Sequence, residues 1–551
     1  MDNRTNETLN VNNTTAPQVV PQVVVAQPVY AGPEKKPLFS LGKRDTVFSI
    51  LAVIFCIFTA VFGIFGGYAL GYLISCVLMM GLFAFYFGVG ERFKILPFLC
   101  GVLSVANGAV FVCTSNGSVR FFSAMVSFLL GLVCFDGILK DNAKGNRETL
   151  GAFYTAAATI GNLGTTLKSL FAGGNGGKKT FLKALIGLVC AIPALLIIVP
   201  LLIASDEAFR GMMDNIFTNA FADIFKALFG IILSIFVLSY GFSLRKGRIA
   251  RIKKGNLKGI ESAYIVSFLS AIGFCYLLYL FSQLAYFFSA FSGFLPDGQI
   301  TYAQYARKGF FEMCVIAVIN LIIVFLALLL TKKKEGKVSG AVKALATFIA
   351  TFTLIIIATA ISKMILYIGE YGMTILRLTT SAFMVFLAIV FISVIFRIFL
   401  TKINIIKTAL IAAGCILLCL GTLNVNGVCA RYNYENYVNG KLETVDINAL
   451  YNLGDEGIPY LVKLTDSEDE NIVEEARYYL AEAVCFDYFE NLRETTFFSA
   501  SSIKGKEKHK GFERFSIPRK AAYENLYEFI EENPEFSSEC KDHLEIKGYL
   551  W

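Results

Sequence analysis

The chain is poor in charged residues and has almost no histidine. Only 17% of its 551 residues are Asp, Glu, Lys or Arg, whereas 56% are hydrophobic, and there are two histidines and one tryptophan. Soluble domains carry about a quarter charged residues. The low fraction of charged residues, together with the high hydrophobic fraction, excludes an ordinary soluble enzyme, a disordered chain and a small secreted module held together by disulfides. It indicates a multi-pass membrane protein.

Motifs for metal binding, redox chemistry and nucleotide binding are missing. The thirteen cysteines include no CxxC pair, and most lie in apolar runs, where cysteine behaves as a small hydrophobic residue. His509 and His543 stand far apart, so no zinc site of thiolate and imidazole ligands is predicted. The glycine-rich segment 173–180 lacks the spacing of a phosphate-binding loop. We expect no cofactor, no metal ion and no catalytic activity.

Eleven apolar stretches are long enough to cross a membrane, since a hydrocarbon core of about 30 Å needs about 20 helical residues. The predicted spans are 47–66, 67–88, 95–114, 121–139, 181–204, 224–242, 263–287, 311–330, 342–360, 382–400 and 408–423. The first two must turn back at Gly66 and Gly67. The predicted fold is all-α: a disordered cytoplasmic N-terminal tail over 1–46, a polytopic transmembrane helix bundle over 47–428, and a small helical extramembrane C-terminal domain over 429–551.

Charge is distributed unequally along the chain. Residues 1–430 hold 36 Lys or Arg against 17 Asp or Glu, whereas residues 431–551 hold 14 against 25. Basic residues in loops mark the cytoplasmic side of a membrane protein, and an N-terminus placed inside puts 29 of those 36 basic residues there. We therefore predict a cytoplasmic N-terminus and an exported, acidic C-terminal domain. No basic stripe interleaved with aromatic residues exists outside the spans, so no nucleic-acid partner is expected.

The C-terminal domain has the periodicity of soluble helices. Apolar residues recur at three- and four-residue spacing over 473–483, and Ser467 and Glu470 have the spacing of a capping box just before them. Pro518 opens a second helical pattern that continues to Ile530. Both patterns predict helices.

Polar and ionisable residues collect at the predicted outer ends of the spans. Such groups are costly at the hydrocarbon edge unless they are paired or hydrated. Seven of them form a candidate outward-facing polar site: Asp206, Asp297, Tyr305, Arg307, Glu312, Asn320 and Arg377. If their segments converge, they make a pocket with both charge signs. The alternative is an interfacial belt of Tyr, Arg and Lys with structural salt bridges.

Four segments carry a resemblance to a known family: Ser205-Asp206-x-x-Phe209, the stretch 295–312, Tyr371-Gly372-Met373-Thr374-x-x-Arg377 and Ala430-Arg431-Tyr432-Asn433. Over residues 180–465 the chain resembles an uncharacterised family of bacterial polytopic membrane proteins. This family is known only as a domain of unknown function, of the four-one-seven-three and four-one-five-three group. The N-terminal spans and the end of the chain carry no such resemblance. The resemblance implies a bacterial cytoplasmic-membrane protein and supplies no activity.

Three classes of function remain. We favour a non-enzymatic module that resides in the lipid bilayer and binds an envelope protein or senses an envelope signal, with the acidic C-terminal domain as the surface for a protein partner. The alternative is a transporter or lipid-handling protein, which Gln283 and Asn320 permit, although no charged residue is expected deep in a span. A membrane enzyme is the least favoured class, because acid–base chemistry would rest on Asp206 or Glu312 alone.

Overall fold

The computed structural model describes most of the chain. The described ranges are 39–65, 69–88, 95–139, 146–171, 222–246, 259–292, 310–332, 338–400, 403–488 and 516–536, with single positions at 198, 201, 205 and 543 and the segment 538–540. Three predictions fall outside these residues: the N-terminal tail before residue 39, the turn at Gly66 and Gly67, and almost all of the fifth predicted span.

The described residues form helices, numbered here in chain order. In the apolar part they are α1 (Lys43–Phe58, continued by a π-helical turn Thr59–Ile64), α2 (Ala69–Phe87), α3 (Ile95–Cys113), α4 (Gly117–Leu139), α5 (Asn146–Ile160), α6 (Leu163–Phe171), α7 (Ala222–Arg245), α8 (Ser262–Ser292), α9 (Phe310–Leu330), α10 (Gly340–Tyr371), α11 (Ile375–Phe399) and α12 (Ile405–Thr422). The C-terminal domain contains α13 (Val425–Val438), α14 (Ile447–Tyr451), a 3-10 turn (Gly454–Glu456), α15 (Ile458–Leu464), α16 (Glu470–Glu482, continued by a π-helical turn Ala483–Tyr488) and α17 (Ile517–Glu532).

Ten of these helices are long and apolar enough to span a membrane: α1 with its π-helical turn, α2, α3, α4 and α7 through α12. A helix satisfies its own backbone hydrogen bonds, which hydrocarbon requires. Large apolar side chains such as Ile54, Phe121 and Phe281 remain exposed on the outer faces of the bundle, where lipid covers them. The prediction of a polytopic helical bundle is confirmed.

The spanning helices form two groups joined by α12. In the first group, a buried cluster with Phe48, Phe83 and Leu130 at its centre packs α1, α2, α3, α4 and α7 together. In the second group, α8 to α11 share buried clusters that include Ile349 and Phe391. Helix α12 packs against α3 and α4 on one side and against α11 on the other. It therefore ties the two groups into one bundle.

The two ends of the bundle differ in chemistry. At one end, here the Asp45 end, the start of α1 meets the ends of α2 and α7. The short helices α5 and α6, which were not predicted, lie at this end, where the backbone N–H of Phe39 donates to Ser169 Oγ at 2.7 Å. The opposite end, the domain end, carries the α3–α4 turn, the α10–α11 turn and the C-terminal domain. At that end Phe65 contacts Phe225 at the start of α7.

A buried ion cluster organises the Asp45 end. Asp45 is only 2% exposed. Its carboxylate accepts hydrogen bonds from Tyr86 Oη, the backbone N–H of Gly42 and Lys246 Nζ, all at 2.8 Å. The Arg245 guanidinium lies 3.5 Å from the carboxylate and 4.7 Å from the centre of the Tyr86 ring. These contacts join α1, α2 and α7 and explain why α1 begins at Lys43, before the predicted residue 47.

Two boundaries in the C-terminal part differ from prediction. The last spanning helix ends at Thr422 and α13 follows after a two-residue junction, so the boundary predicted at residue 428 lies inside a helix. The junction forms because Asn424 adopts a left-handed backbone conformation (φ 54°) that breaks the helix. Helix α16 is capped by Asp469 rather than by Ser467, since Asp469 Oδ1 accepts from the N–H of Asn471 at 3.0 Å.

Charged residues lie buried near the ends of spanning helices. Asp45, Asp136, Lys363 and Lys407 are each at most 7% exposed. The prediction placed Lys363 outside the membrane because the apolar run ends at residue 360, whereas α10 continues to Tyr371. Neighbouring helices shield a charged group near the end of a span from lipid. A prediction made from the length of apolar runs does not detect this shielding.

We expect Asp45→Ala to destabilise the bundle, because it leaves three donors without their buried acceptor. The expected loss is about 2–4 kcal/mol in the free energy of unfolding, measured as the thermal midpoint of the purified full-length protein. Lys520→Ala is the control, because its ion pair with Glu524 is exposed and is worth about 0.5 kcal/mol at most. Equal losses from the two substitutions would contradict a structural role of the Asp45 cluster.

Candidate functional site

The predicted polar site lies only partly within the described residues. Asp206, Asp297, Tyr305 and Arg307 lie outside them. Glu312 is exposed in the first turn of α9. The convergence of these residues with the other members of the cluster therefore stays a prediction.

Asn320 lies inside the bundle and is hydrogen-bonded on both sides. It is fully buried in α9. Tyr276 Oη of α8 donates to Asn320 Oδ1 at 2.5 Å, and Asn320 Nδ2 donates to Thr353 Oγ1 of α10 at 2.9 Å. Polar side chains that bond across spanning helices hold them together. The contacts of Asn320 are those of a packing residue linking three helices.

Arg377 caps the C-terminal end of α10. Its Nη1 donates to the carbonyl oxygens of Tyr371 at 2.9 Å and Gly372 at 2.5 Å. Its guanidinium carbon lies 4.1 Å from the centre of the Tyr367 ring. A cation at a helix C-terminus stabilises the unpaired carbonyls there. Arg377 thus shapes the α10–α11 turn.

Two of the segments that carry the family resemblance meet at this turn. The backbone N–H of Met373 donates to Asn433 Oδ1 at 2.7 Å, and Asn433 Nδ2 donates to the Met373 carbonyl at 2.8 Å. Gly372 has φ +75°, and a Cβ atom there would lie 2.7 Å from Asn433 Oδ1. Glycine is therefore required for this close approach of α13 to the bundle.

A buried carboxylate makes a second contact between the bundle and the C-terminal domain. Glu456, in the 3-10 turn, is 4% exposed. Its Oε1 accepts from the backbone N–H of Ser115 at 2.8 Å and from Thr114 Oγ1 at 3.4 Å, and its Oε2 accepts from Ser115 Oγ. The side chain of Glu456 thus accepts hydrogen bonds from N–H and O–H groups of the α3–α4 turn, which have no partner within either helix.

Asparagine side chains extend this contact. Asn116 Nδ2 donates to Asn426 Oδ1 at 2.8 Å, and Asn426 Nδ2 donates to the carbonyl oxygen of Leu453 at 2.9 Å. Asn116 Oδ1 accepts from the N–H of Val119 at 2.9 Å and so caps α4. That cap explains why α4 begins at Gly117 rather than at the predicted residue 121.

A polar cleft of about 580 Å³ lies beside these contacts, between the bundle and the C-terminal domain. Its walls come from the α3–α4 turn, the start of α11, the α14–α15 segment and α17. The residues that line it are Ser115, Asn116, Gly117, Ser118, Ile375, Asn426, Tyr451, Asn452, Leu453, Gly454, Asp455, Ile458 and Arg519. Arg519 Nη1 lies 3.7 Å from Asp455 Oδ1. The cleft presents a cation, a carboxylate, amides and hydroxyls.

The sequence contains a weak signal for this cleft. Thr114, Ser115 and Asn116 form a short polar interruption between two apolar stretches, and Asp455 and Glu456 sit between two glycines. Neither segment resembles a binding motif, and they lie more than three hundred residues apart. Among the described residues, no group of three His, Cys, Asp or Glu side chains could hold a metal ion.

The fold and the cleft define a multi-pass helical membrane protein with a helical domain docked on one end of the bundle. The model of the domain of unknown function DUF4153 matches residues 74–464, more than half of the chain. The chain belongs to this family. The match begins within α2, so the family extends over N-terminal spans in which the sequence alone showed no resemblance, whereas α1 lies outside the match. No curated protein matches the chain, and no solved structure does.

We expect Glu456→Ala to loosen the C-terminal domain from the bundle, because it leaves the half-buried N–H of Ser115 without its acceptor. The cost of such an unsatisfied group is about 1–3 kcal/mol. Hydrogen exchange of the α3–α4 turn and of the 3-10 turn in the full-length protein measures it as faster exchange. Glu468→Ala, at an exposed carboxylate, should leave both rates unchanged. Unchanged protection in Glu456→Ala would show that the domain does not depend on this carboxylate.

Proposed function

We propose that this protein is a non-enzymatic membrane module that senses a small polar ligand or an envelope partner through its C-terminal domain. The observation that carries the proposal is the cleft between the α3–α4 turn and the C-terminal domain. A ligand in this cleft touches the bundle and the domain together. Its binding therefore favours one arrangement of the two over others, which is the physical requirement for a sensor.

The chemistry of the cleft supports binding of a small molecule with hydroxyl, amide or zwitterionic groups. Arg519 and Asp455 present opposite charges at one rim. Asn452 and Ser118 are exposed and supply further hydrogen-bonding groups. The volume of about 580 Å³ falls within the range of small-molecule sites, about 300–1,000 Å³.

The proposal includes an orientation in a bacterial cytoplasmic membrane. Lys43, Arg44, Arg245, Lys246 and Lys332 stand at helix ends on the Asp45 side of the bundle. Basic residues are retained on the cytoplasmic side. The Asp45 end is then cytoplasmic, and the cleft and the acidic C-terminal domain face outward, where that domain can contact a protein partner.

Transport or lipid handling is the second candidate. The observation that favours it is the hydrogen-bonded chain of Tyr276, Asn320 and Thr353, which links α8, α9 and α10 inside the spanning region. A pathway for a polar solute needs such groups at membrane depth. Time-dependent uptake of a probe into proteoliposomes distinguishes this candidate, because a sensor binds without accumulating solute.

A ligand of the cleft should raise the thermal stability of the purified full-length protein. Suitable probes are N-acetylglucosamine, the dipeptide alanylalanine and inorganic phosphate. A bound ligand at 100 times its Kd adds about 2.7 kcal/mol to the free energy of unfolding. We expect at least one probe to raise the midpoint of unfolding with increasing concentration.

Filling the cleft supplies the control for this measurement. Asn452→Trp places a large ring in the cleft and should abolish the stabilisation. Glu443→Trp, at an exposed position that does not line the cleft, should preserve it. A probe that stabilises both variants equally binds elsewhere and speaks against the cleft as the site.

The proposed orientation predicts the behaviour of reporter fusions. Alkaline phosphatase fused after residue 551 should be active, because it folds only outside the cytoplasm, whereas a green fluorescent protein at the same place should be dark. Fusions after residue 246, at the Asp45 end, should give the reverse result. A fluorescent fusion after residue 551 would place the C-terminal domain in the cytoplasm and refute the orientation.

A further inference from the structure

Two cysteines lie against each other in the core of the C-terminal domain. Cys485 is in the π-helical turn that follows α16, and Cys540 is in the helical segment after α17. They are 1% and 2% exposed. The Cys485 thiol lies 3.6 Å from the backbone carbonyl oxygen of Cys540 and donates to it, and both cysteines are free thiols in this structure.

Ion pairs fix the two segments beside each other. Arg477 makes a bidentate contact with Glu539, with Nη2–Oε1 at 2.7 Å and Nε–Oε2 at 3.0 Å. On the other side, Glu482 Oε2 lies 2.6 Å from His543 Nε2. Arg477 and Glu482 both precede Cys485, whereas Glu539 and His543 lie on either side of Cys540. The register therefore places Cys485 beside Cys540.

The thiols differ in acidity. The hydrogen bond with Cys540 lowers the pKa of the Cys485 thiol, whereas the same hydrogen bond and burial raise the pKa of the Cys540 thiol. The thiolate is the nucleophile in thiol–disulfide exchange. Cys485 is thus the sulfur that attacks first when the segments are accessible.

We propose that Cys485 and Cys540 are joined by a disulfide bond in the cell, as a covalent link between the end of α16 and the segment after α17. This inference rests on the exported orientation of the C-terminal domain, because disulfides persist in oxidising compartments outside the cytoplasm. It makes the C-terminal domain the site of an oxidative modification.

The oxidant is a thiol–disulfide oxidoreductase in its disulfide form. The Cys485 thiolate attacks one sulfur of that disulfide and expels the other as a thiolate. The Cys540 thiolate then attacks the Cys485 sulfur of the mixed disulfide, which forms the Cys485–Cys540 bond and releases the oxidant sulfur that was bonded to Cys485. The two protons lost by the cysteines end on the oxidant, which leaves as a dithiol.

The link has a consequence for the cleft. Arg519 lies on α17, and α17 packs against α15 and against the 3-10 turn that carries Glu456. A disulfide just beyond α17 restricts how far this helix can separate from the rest of the domain. Oxidation therefore stabilises the wall of the cleft that bears Arg519.

The test detects the Cys485–Cys540 disulfide directly in the protein without substitutions. Cells are quenched with acid, free thiols are blocked with N-ethylmaleimide, and the full-length protein is purified and digested with trypsin without reductant. Trypsin places Cys485 in the peptide 478–493 and Cys540 in the peptide 521–541, each with a single cysteine. We expect most of both peptides as one disulfide-linked species that separates on reduction.

Two variants serve as matched controls. Cys540→Ser should leave the peptide 478–493 carrying maleimide. Cys429→Ser, which changes another buried cysteine of the same core, should leave the linked species intact.

Recovery of both peptides with maleimide attached would overturn the proposal. The reduced purified protein, incubated with oxidised glutathione, then identifies the reason. A link formed only in that reaction means that the domain is not in an oxidising compartment, so the orientation is wrong. No link in either sample means that the pairing of the cysteines is wrong. The ligand test on the cleft does not depend on either result.

Discussion

Side-chain groups that bond to backbone atoms of turns hold the C-terminal domain on the helical bundle. Glu456 accepts from the α3–α4 turn, Asn426 reaches the carbonyl of Leu453, and Asn433 pairs in both directions with Met373 of the α10–α11 turn. Turns between spanning helices expose backbone groups that no helix can satisfy. The C-terminal domain supplies the missing partners, and the cleft exists because these contacts bring the two parts together.

The opposite end of the bundle is organised by charge. Asp45 gathers donors from α1, α2 and α7, and basic residues stand around it at the helix ends. Helix α12 lies between the two helical groups and leads, through the junction at Asn424, directly into the C-terminal domain. A displacement of that domain would therefore act on α12 and on both groups. This continuity provides the physical connection that a sensing function needs.

Prediction from the sequence succeeded where one physical requirement dominates. Apolar length located the ten spanning helices, although α10 continues to Tyr371, well past the predicted end at residue 360. Helical periodicity with Pro518 located α17, whose first turn contains that proline. Prediction failed where partners distant in sequence decide. The cleft was missed because Ser115 and Glu456 are ordinary polar residues until the fold brings them together.

The sequence by itself determined the class of this protein: long uncharged runs can persist only as helices in hydrocarbon, since every backbone group there needs an internal partner. It also determined the family and the acidic character of the C-terminal domain. Only the tertiary structure decided which polar residues meet. Contacts such as Glu456 with Ser115, or Cys485 with Cys540, depend on the packing of segments far apart in the chain, and no local pattern encodes that packing.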